Sequence, residues 1–175
     1  MIDPVADLAI RWALAAILGL AALHKLRDRA TFEGQLAAYA LLPEGVVHPA
    51  SRAIPLIEGA AALFLLAHSP HGGILTAALF ALYGAAMTIN LARGRRDIDC
   101  GCGGPDGKQT LHPALVLRNG VLTLAALATM LPQEERGLSV LDYAVAGLAA
   151  LAFVALYTAI NTLVANIPAH LRLRA

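Results

Sequence analysis

Apolar positions in this chain come in five unbroken blocks instead of stripes: Leu8 to Leu26, Ala50 to Ala67, Ile74 to Leu91, Pro113 to Leu131 and Tyr143 to Val164. Each approaches the roughly 20 residues that a helix needs to cross a hydrocarbon core of about 30 Å. A water-soluble helical bundle would keep a polar outer face, and these blocks have none. The pattern predicts an all-α polytopic membrane protein, a bundle of about five transmembrane helices forming a single domain over residues 1–175. Between the first two blocks the rhythm changes. Phe32, Leu36, Tyr39 and Ala40 recur at helical spacing after Thr31, a residue suited to cap a helix, and Pro43 stops the run. A short amphipathic helix in the membrane surface is expected there, serving as an interfacial anchor or as a lid over the bundle mouth.

Composition sharpens this picture. Hydrophobic residues make up 58% of the chain and charged residues only 14%, so each charge and its position carry information. Small residues such as Gly59-Ala60-Ala61-Ala62 and Gly84-Ala85-Ala86 predict close helix approach in a compact bundle. The N terminus opens with Asp3 and Asp7 instead of a basic region, so the first block is expected to remain as a span. With that terminus outside, one side collects Lys25, Arg27, Arg29, Arg52, Arg93, Arg95, Arg96, Lys108, Arg118, Arg172 and Arg174, leaving Arg11 and Arg136 for the other. Positive residues favour the cytoplasm, which predicts a bacterial inner-membrane protein with a cytoplasmic 92–112 loop and C terminus. The formal net charge of +1 gives no reason to expect a nucleic-acid partner; the bilayer is the first partner implied.

Charges inside the spans are the next signal. Glu58 lies six residues past Arg52 and Arg118 five past Pro113, which at about 1.5 Å per residue puts both some 8 to 10 Å below the same surface. An unpaired charge there costs on the order of 2.5 to 3.5 kcal/mol, so Glu58 and Arg118 are expected to meet or to share a polar cavity, as a register-fixing ion pair or as a substrate site. Asn119, Asn90 and Lys25 fall on the same side.

The remaining chemistry is Cys100-Gly101-Cys102, the chain's two cysteines, in a polar, glycine-rich loop between spans. A disulfide across one intervening residue is strained and therefore easily reduced. Arg95, Arg96, Lys108 and Arg118 favour a thiolate while Asp97 and Asp99 oppose it. The turn around Gly103 and Gly104 is expected to bare the sulfurs to a partner. Three readings stay open: a redox pair, a Cu(I) or Zn(II) ligand pair completed by His112 and an aspartate, and two inert surface thiols.

Several motifs occur in order: Lys25-Leu26-Arg27-Asp28, then Phe32, Leu36, Tyr39 and Leu41-Leu42-Pro43, Pro55-x-x-Glu58, Asn90-Leu91-x-Arg93-Gly94-Arg95, Ile98-Asp99-Cys100-Gly101-Cys102 and Leu117-Arg118-Asn119. From the first span to the fourth the chain resembles the MauE family of methylamine utilisation, which is similar to DoxX-like membrane proteins. The resemblance implies Cys100 and Cys102 as a redox pair working with a thioredoxin-like or dehydrogenase partner in protein maturation. Glu58, Arg93, Arg95 and Arg118 would be the supporting polar residues. The pattern departs at Gly103, where an aromatic residue often stands. A periplasmic disulfide role would put the thiols outside, whereas the basic-residue count puts them inside, and the count is kept. The DoxX likeness implies a second class of function: a structural or quinone-contacting subunit of a larger oxidoreductase, with quinone as its cofactor and Glu58, Arg118 and Tyr83 as contacts.

Overall fold

The computed structural model describes residues 1–100 and 109–172, with side chains up to residue 165. Within them the chain forms six helices: α1 (Pro4–Arg27), α2 (Arg29–Ala38), α3 (Glu44–Leu66), α4 (Pro70–Ala92), α5 (Pro113–Ala128) and α6 (Val140–Arg172). Two isolated bridges, Ile2 with Gln133 and Asp99 with Thr110, are the extended pairings among the described residues. The all-α expectation holds, and α1, α3, α4 and α6 are long and apolar enough to cross a membrane. The fourth block is shorter than expected. α5 has 16 residues and ends at Ala128 with Thr129 as its C-cap, giving a helix of about 24 Å against a core of about 30 Å. In the other direction, α3 starts at Glu44 instead of Ala50, because Pro43 supplies an extended N-cap from which the helix can begin.

Proline and small polar residues set the other starts. Pro4, Pro70 and Pro113 each open a helix where their missing N–H costs nothing, and Asp3, Ser69 and His112 accept hydrogen bonds from backbone N–H groups that the first turn leaves unpaired. α1 is the central element and packs against α2, α3, α5 and α6; α3 lies against α2 and α4, and α4 against α5. Their shared core contains Leu14, Leu18, Ala61, Leu65, Phe80 and Leu122. Leu63, Leu124, Leu148, Leu151 and Leu163 point outward, where a bilayer would cover them.

The amphipathic helix exists, with two corrections. Its N-cap is Asp28, not Thr31: the Asp28 carboxylate accepts the Thr31 N–H at 3.1 Å. Hydrogen bonds from the Thr31 side chain and then its backbone hold that carboxyl below its usual range. Phe32 is buried and Leu36 and Tyr39 half-buried, but Ala40 is exposed and adopts a left-handed φ of 49°, ending the helix before Pro43. Polar bonds fix α2 to the segment after α4. Arg95 donates to the carbonyls of Ala38 at 2.8 Å and Tyr39 at 3.1 Å, and the Gln35 amide donates to Asp99 at 3.1 Å.

At the opposite end lies a polar cluster that the sequence reading missed. Arg11 Nε donates to Asp7 at 2.6 Å, one turn away on α1, and its Nη2 donates to the Thr129 carbonyl at 2.6 Å. Gln133 also donates to Asp7, and Arg136 pairs with Asp3 at 3.4 Å and Asp142 at 3.2 Å, so the N terminus is stapled to the α5–α6 connection. The signal available in sequence was the i,i+4 spacing of Asp7 and Arg11 inside an apolar block.

The close-approach glycines are also different from those expected. A Cβ on Gly59 would meet nothing within 4 Å, and one on Gly84 would make ordinary contact with Asn119 at 3.5 Å. A Cβ on Gly72 would instead lie 2.7 Å from the Leu65 nitrogen and 2.8 Å from the Phe64 carbonyl carbon, both rigid backbone. Gly72→Ala is therefore expected to lower stability in detergent by about 1 to 3 kcal/mol, whereas Gly59→Ala should be neutral or stabilising by up to ~1 kcal/mol. Thermal unfolding of the two variants side by side checks this; equal effects would contradict the packing described.

Candidate functional site

Two cavities lie under α2. The first, of about 180 Å³, is lined by residues of α1, α2, α3, α4, α5 and α6, and includes Lys25, Glu58, Tyr83, Arg118, Asn119 and Tyr157. The second, of about 170 Å³, is almost wholly apolar, with Leu36, Leu42, Ile54 and Leu82 on its walls and Cys100 at its edge. Lys25, Phe32, Gln35 and Tyr83 belong to both and form the partition between them.

Glu58 is 0% exposed, and its ion pair is with Lys25, not with Arg118. The Tyr83 hydroxyl donates to the same carboxylate oxygen at 2.7 Å. The Lys25 ammonium sits 4.9 Å from the centre of the Tyr83 ring and 5.0 Å from that of Phe32, so two aromatic faces replace part of its lost hydration. The second carboxylate oxygen of Glu58 has no hydrogen-bond partner among the described residues. Arg118 donates to the Asn161 side-chain oxygen at 2.6 Å and stacks 5.5 Å from the Tyr157 ring centre. Glu58 and Arg118 thus share a cavity, as one branch of the expectation had it, without pairing directly. The first branch fails because Lys25, entering from α1 with a flexible stem, reaches the carboxylate.

Asn119 is buried on the same cavity and donates to the Leu115 carbonyl at 2.8 Å. Asn90 and Arg95 have a different task. Asn90 is buried away from the lining and accepts from Arg95 at 3.1 Å, which orients the guanidinium toward α2. Arg93, the C-cap of α4, is exposed and lines neither cavity. Arg95 therefore braces α2, and Arg93 stands apart from the pocket to which the family resemblance assigned it.

Cys100 is 7% exposed, packed with Met87, Leu111 and Leu115, which corrects the expectation of a bared sulfur at this position. Burial follows from local pairing: the Cys100 N–H donates to the Gln109 carbonyl at 2.8 Å, and the bridge between Asp99 and Thr110 draws the two ends of the loop together. The Cys100 thiol donates to the Gln109 side-chain oxygen at 3.3 Å, and Tyr39 hydroxyl donates to the Cys100 carbonyl at 3.4 Å. Gln109 and Asn161 are site residues that sequence reasoning passed over; a lone amide in an otherwise apolar final span was the available signal for Asn161. Cys102, with Gly101, Gly103 and Lys108, lies outside the described residues. Among the described residues no group of three or more His, Cys, Asp or Glu is placed to hold a metal ion.

A buried pair broken on one side strands a charge, typically at a cost of about 3 to 5 kcal/mol, while removing both partners costs less. Lys25→Met and Glu58→Gln should together destabilise the protein by clearly less than the sum of their two single losses. Glu58→Gln combined with Arg118→Met should be additive to within about 0.5 kcal/mol. Double-mutant cycles by thermal unfolding in detergent test both; additivity for Lys25 and Glu58 would contradict the pairing.

Sequence comparison matches residues 4–132 to the family described as methylamine utilisation protein MauE. The chain is 38% identical over 130 residues to the methylamine utilization protein MauE of Paracoccus denitrificans, covering 73% of this chain and 70% of that one. It is 38% identical over 134 residues to the protein of that name from Methylorubrum extorquens, covering 74% and 72%. The match to the Methylophilus methylotrophus protein of that name is 33% identical over 178 aligned positions, covering 95% and 90%. No solved structure matches the chain significantly. The matched region runs from α1 through the whole of α5, carrying Lys25, Glu58, Cys100 and Arg118, and the chain belongs to the MauE family.

Proposed function

We propose that this membrane protein serves methylamine utilisation as a thiol-disulfide redox or maturation factor, acting through Cys100 and Cys102 on a thioredoxin-like or dehydrogenase partner. The observation that carries the reading is the position of Cys100 under α2, at the edge of an apolar cavity and one partition away from the Lys25–Glu58 pair. A thiol in that position is shielded from chance oxidation and is reached when α2 is displaced. The bonds from Gln35 to Asp99 and from Tyr39 to the Cys100 carbonyl join lid and cysteine segment, so a partner docking on α2 would act on both at once. In the exchange a partner thiolate attacks the Cys100–Cys102 disulfide to form a mixed disulfide. The partner's second thiol then resolves it, leaving the partner oxidised and this pair reduced by two electrons and two protons.

A second reading, a quinone-contacting or structural subunit of a larger oxidoreductase, is favoured by one observation: Glu58, Tyr83 and Arg118 converge on a single cavity with aromatic walls. Arg118 and Tyr83 would donate to the oxygens of a quinone, Glu58 would accept from a quinol hydroxyl, and the quinone would supply two-electron redox chemistry. The proposed site of action is the bacterial inner membrane, with the N terminus outside and the cysteine segment and C terminus cytoplasmic. Its support is that Arg11 and Arg136 share the end opposite Lys25 and Arg95.

Two outcomes follow. Cys100→Ser and Cys102→Ser should each abolish maturation of the partner as completely as the double substitution, since half a pair cannot complete the cycle. Full activity in the double variant would sink the redox reading and leave the subunit reading. For orientation, exposed reporters in the cysteine-free background discriminate: a membrane-impermeant maleimide on intact cells should label Glu135→Cys and not Arg93→Cys. The reverse pattern would invert the topology.

A further inference from the structure

Gln109 is 2% exposed, and its amide makes two bonds in opposite directions. Nε2 donates to the backbone carbonyl of Asn161 at 3.2 Å, and Oε1 meets Cys100 Sγ at 3.3 Å. The two ends of a glutamine amide are alike in shape and opposite in chemistry, so the network decides which faces which. The Asn161 carbonyl can only accept, which turns the nitrogen toward α6 and leaves the oxygen facing sulfur. An amide oxygen cannot donate. The hydrogen in that contact therefore belongs to the thiol.

We infer that Gln109 is the positioning residue of the redox pair, holding Cys100 as a protonated thiol and so favouring the reduced form over both thiolate and disulfide. Oxidation of the pair releases two electrons and two protons and removes the hydrogen from Cys100. The buried Gln109 oxygen then loses its donor. The change is felt in α6, because Asn161 holds Gln109 through its backbone and Arg118 through its side chain at 2.6 Å. The functional meaning rests on the redox reading above, whereas the contact itself can be tested without turnover.

Among the described residues, the charged and titratable groups near the sulfur are Lys25 from α1, Tyr39 beside α2 and Tyr83 from α4, which line the same cavity, and the adjacent Asp99. Met87 from α4, Leu111 and Leu115 from the α5 side and Val164 from α6 pack in the same cluster and do not titrate. All stay constant across variants at position 109. In a Cys102→Ser background Cys100 is the only thiol, since the chain has two cysteines. Its reaction with methyl methanethiosulfonate in detergent micelles, followed against pH, then reports this one group.

Gln109→Leu removes the acceptor and should lower the pH midpoint of the reaction by about half to one unit. Gln109→Glu keeps an acceptor toward the sulfur and should hold the midpoint at or above that of the parent. General loosening of the site would move both variants the same way, so the pair stays informative if one is poorly stable. With both cysteines present, equilibration against glutathione disulfide, which takes up the two electrons to give two glutathiones, should show Gln109→Leu shifted toward disulfide by roughly 3- to 10-fold. An unmoved midpoint in Gln109→Leu, or a matching fall in Gln109→Glu, overturns the inference while leaving the cysteine-substitution test of the redox reading standing on its own.

Discussion

A carboxylate buried at 0% exposure among membrane-spanning helices is the constraint around which this fold is arranged. Alone at such depth it would cost a few kcal/mol, on the order of 2.5 to 3.5 by insertion scales, so it must find a cation and a hydrogen-bond donor. Lys25 from α1 supplies the first and Tyr83 from α4 the second. Those two contacts draw three helices together at one height. The aromatic faces of Tyr83 and Phe32 then shelter the ammonium, and Phe32 brings α2 down over the bundle. One electrostatic requirement thus positions the lid, the partition between the cavities and the wall that Cys100 faces.

The two ends of the bundle solve the same problem differently. At the Asp7 end the ion pair is within one helix and is surrounded by bonds from the α5–α6 connection. At the Lys25 end the pair joins separate helices, borders open volume and leaves one carboxylate oxygen without a partner among the described residues. A self-contained pair rigidifies; a pair with spare acceptor capacity beside a cavity can also receive a ligand. Asp7 also leaves one carboxylate oxygen without a partner among the described residues, so what sets the Lys25 end apart is that its pair joins separate helices and lines a cavity that Arg118 shares.

How much of this was legible in the sequence depends on which forces decide each feature. Spans are set by burial against lipid, a property of composition, and the five apolar blocks match four helices long enough to cross a membrane and one shorter apolar helix, with approximate limits. Their boundaries drifted where capping competed, as at Pro43 and Thr129. Helix periodicity located α2, but the choice between Asp28 and Thr31 as cap turned on which side chain reaches a free N–H. The polar site was legible by depth alone, which is one coordinate out of three. Glu58 and Arg118 do share a cavity, yet azimuth around the helix axis determines partners, and it gave Glu58 to Lys25 and Arg118 to Asn161. Gly59 failed as a contact point for the same reason, since a small residue matters only where it faces a neighbour, whereas Gly84 does face Asn119 at ordinary contact distance. Cys100 was found by its chemistry, whereas its burial comes from its pairing with Gln109 and the bridge of Asp99 with Thr110 across a loop, which no local pattern encodes.

The separation of ion-pair partners along the chain has a consequence for biosynthesis. Asp7 and Arg11 are four residues apart in α1, so the first helix can enter a bilayer with those charges already neutralising each other. Lys25 has no such companion. Its carboxylate is 33 residues downstream, on α3, and the Tyr83 that completes the arrangement comes later still, on α4. A nascent α1 would therefore hold its C-terminal end near the interface, with the long lysine stem reaching toward headgroups. Arrival of α3 would let that end settle. Chain order and ion-pair order coincide here, since the lysine precedes both groups that hold it in the folded bundle.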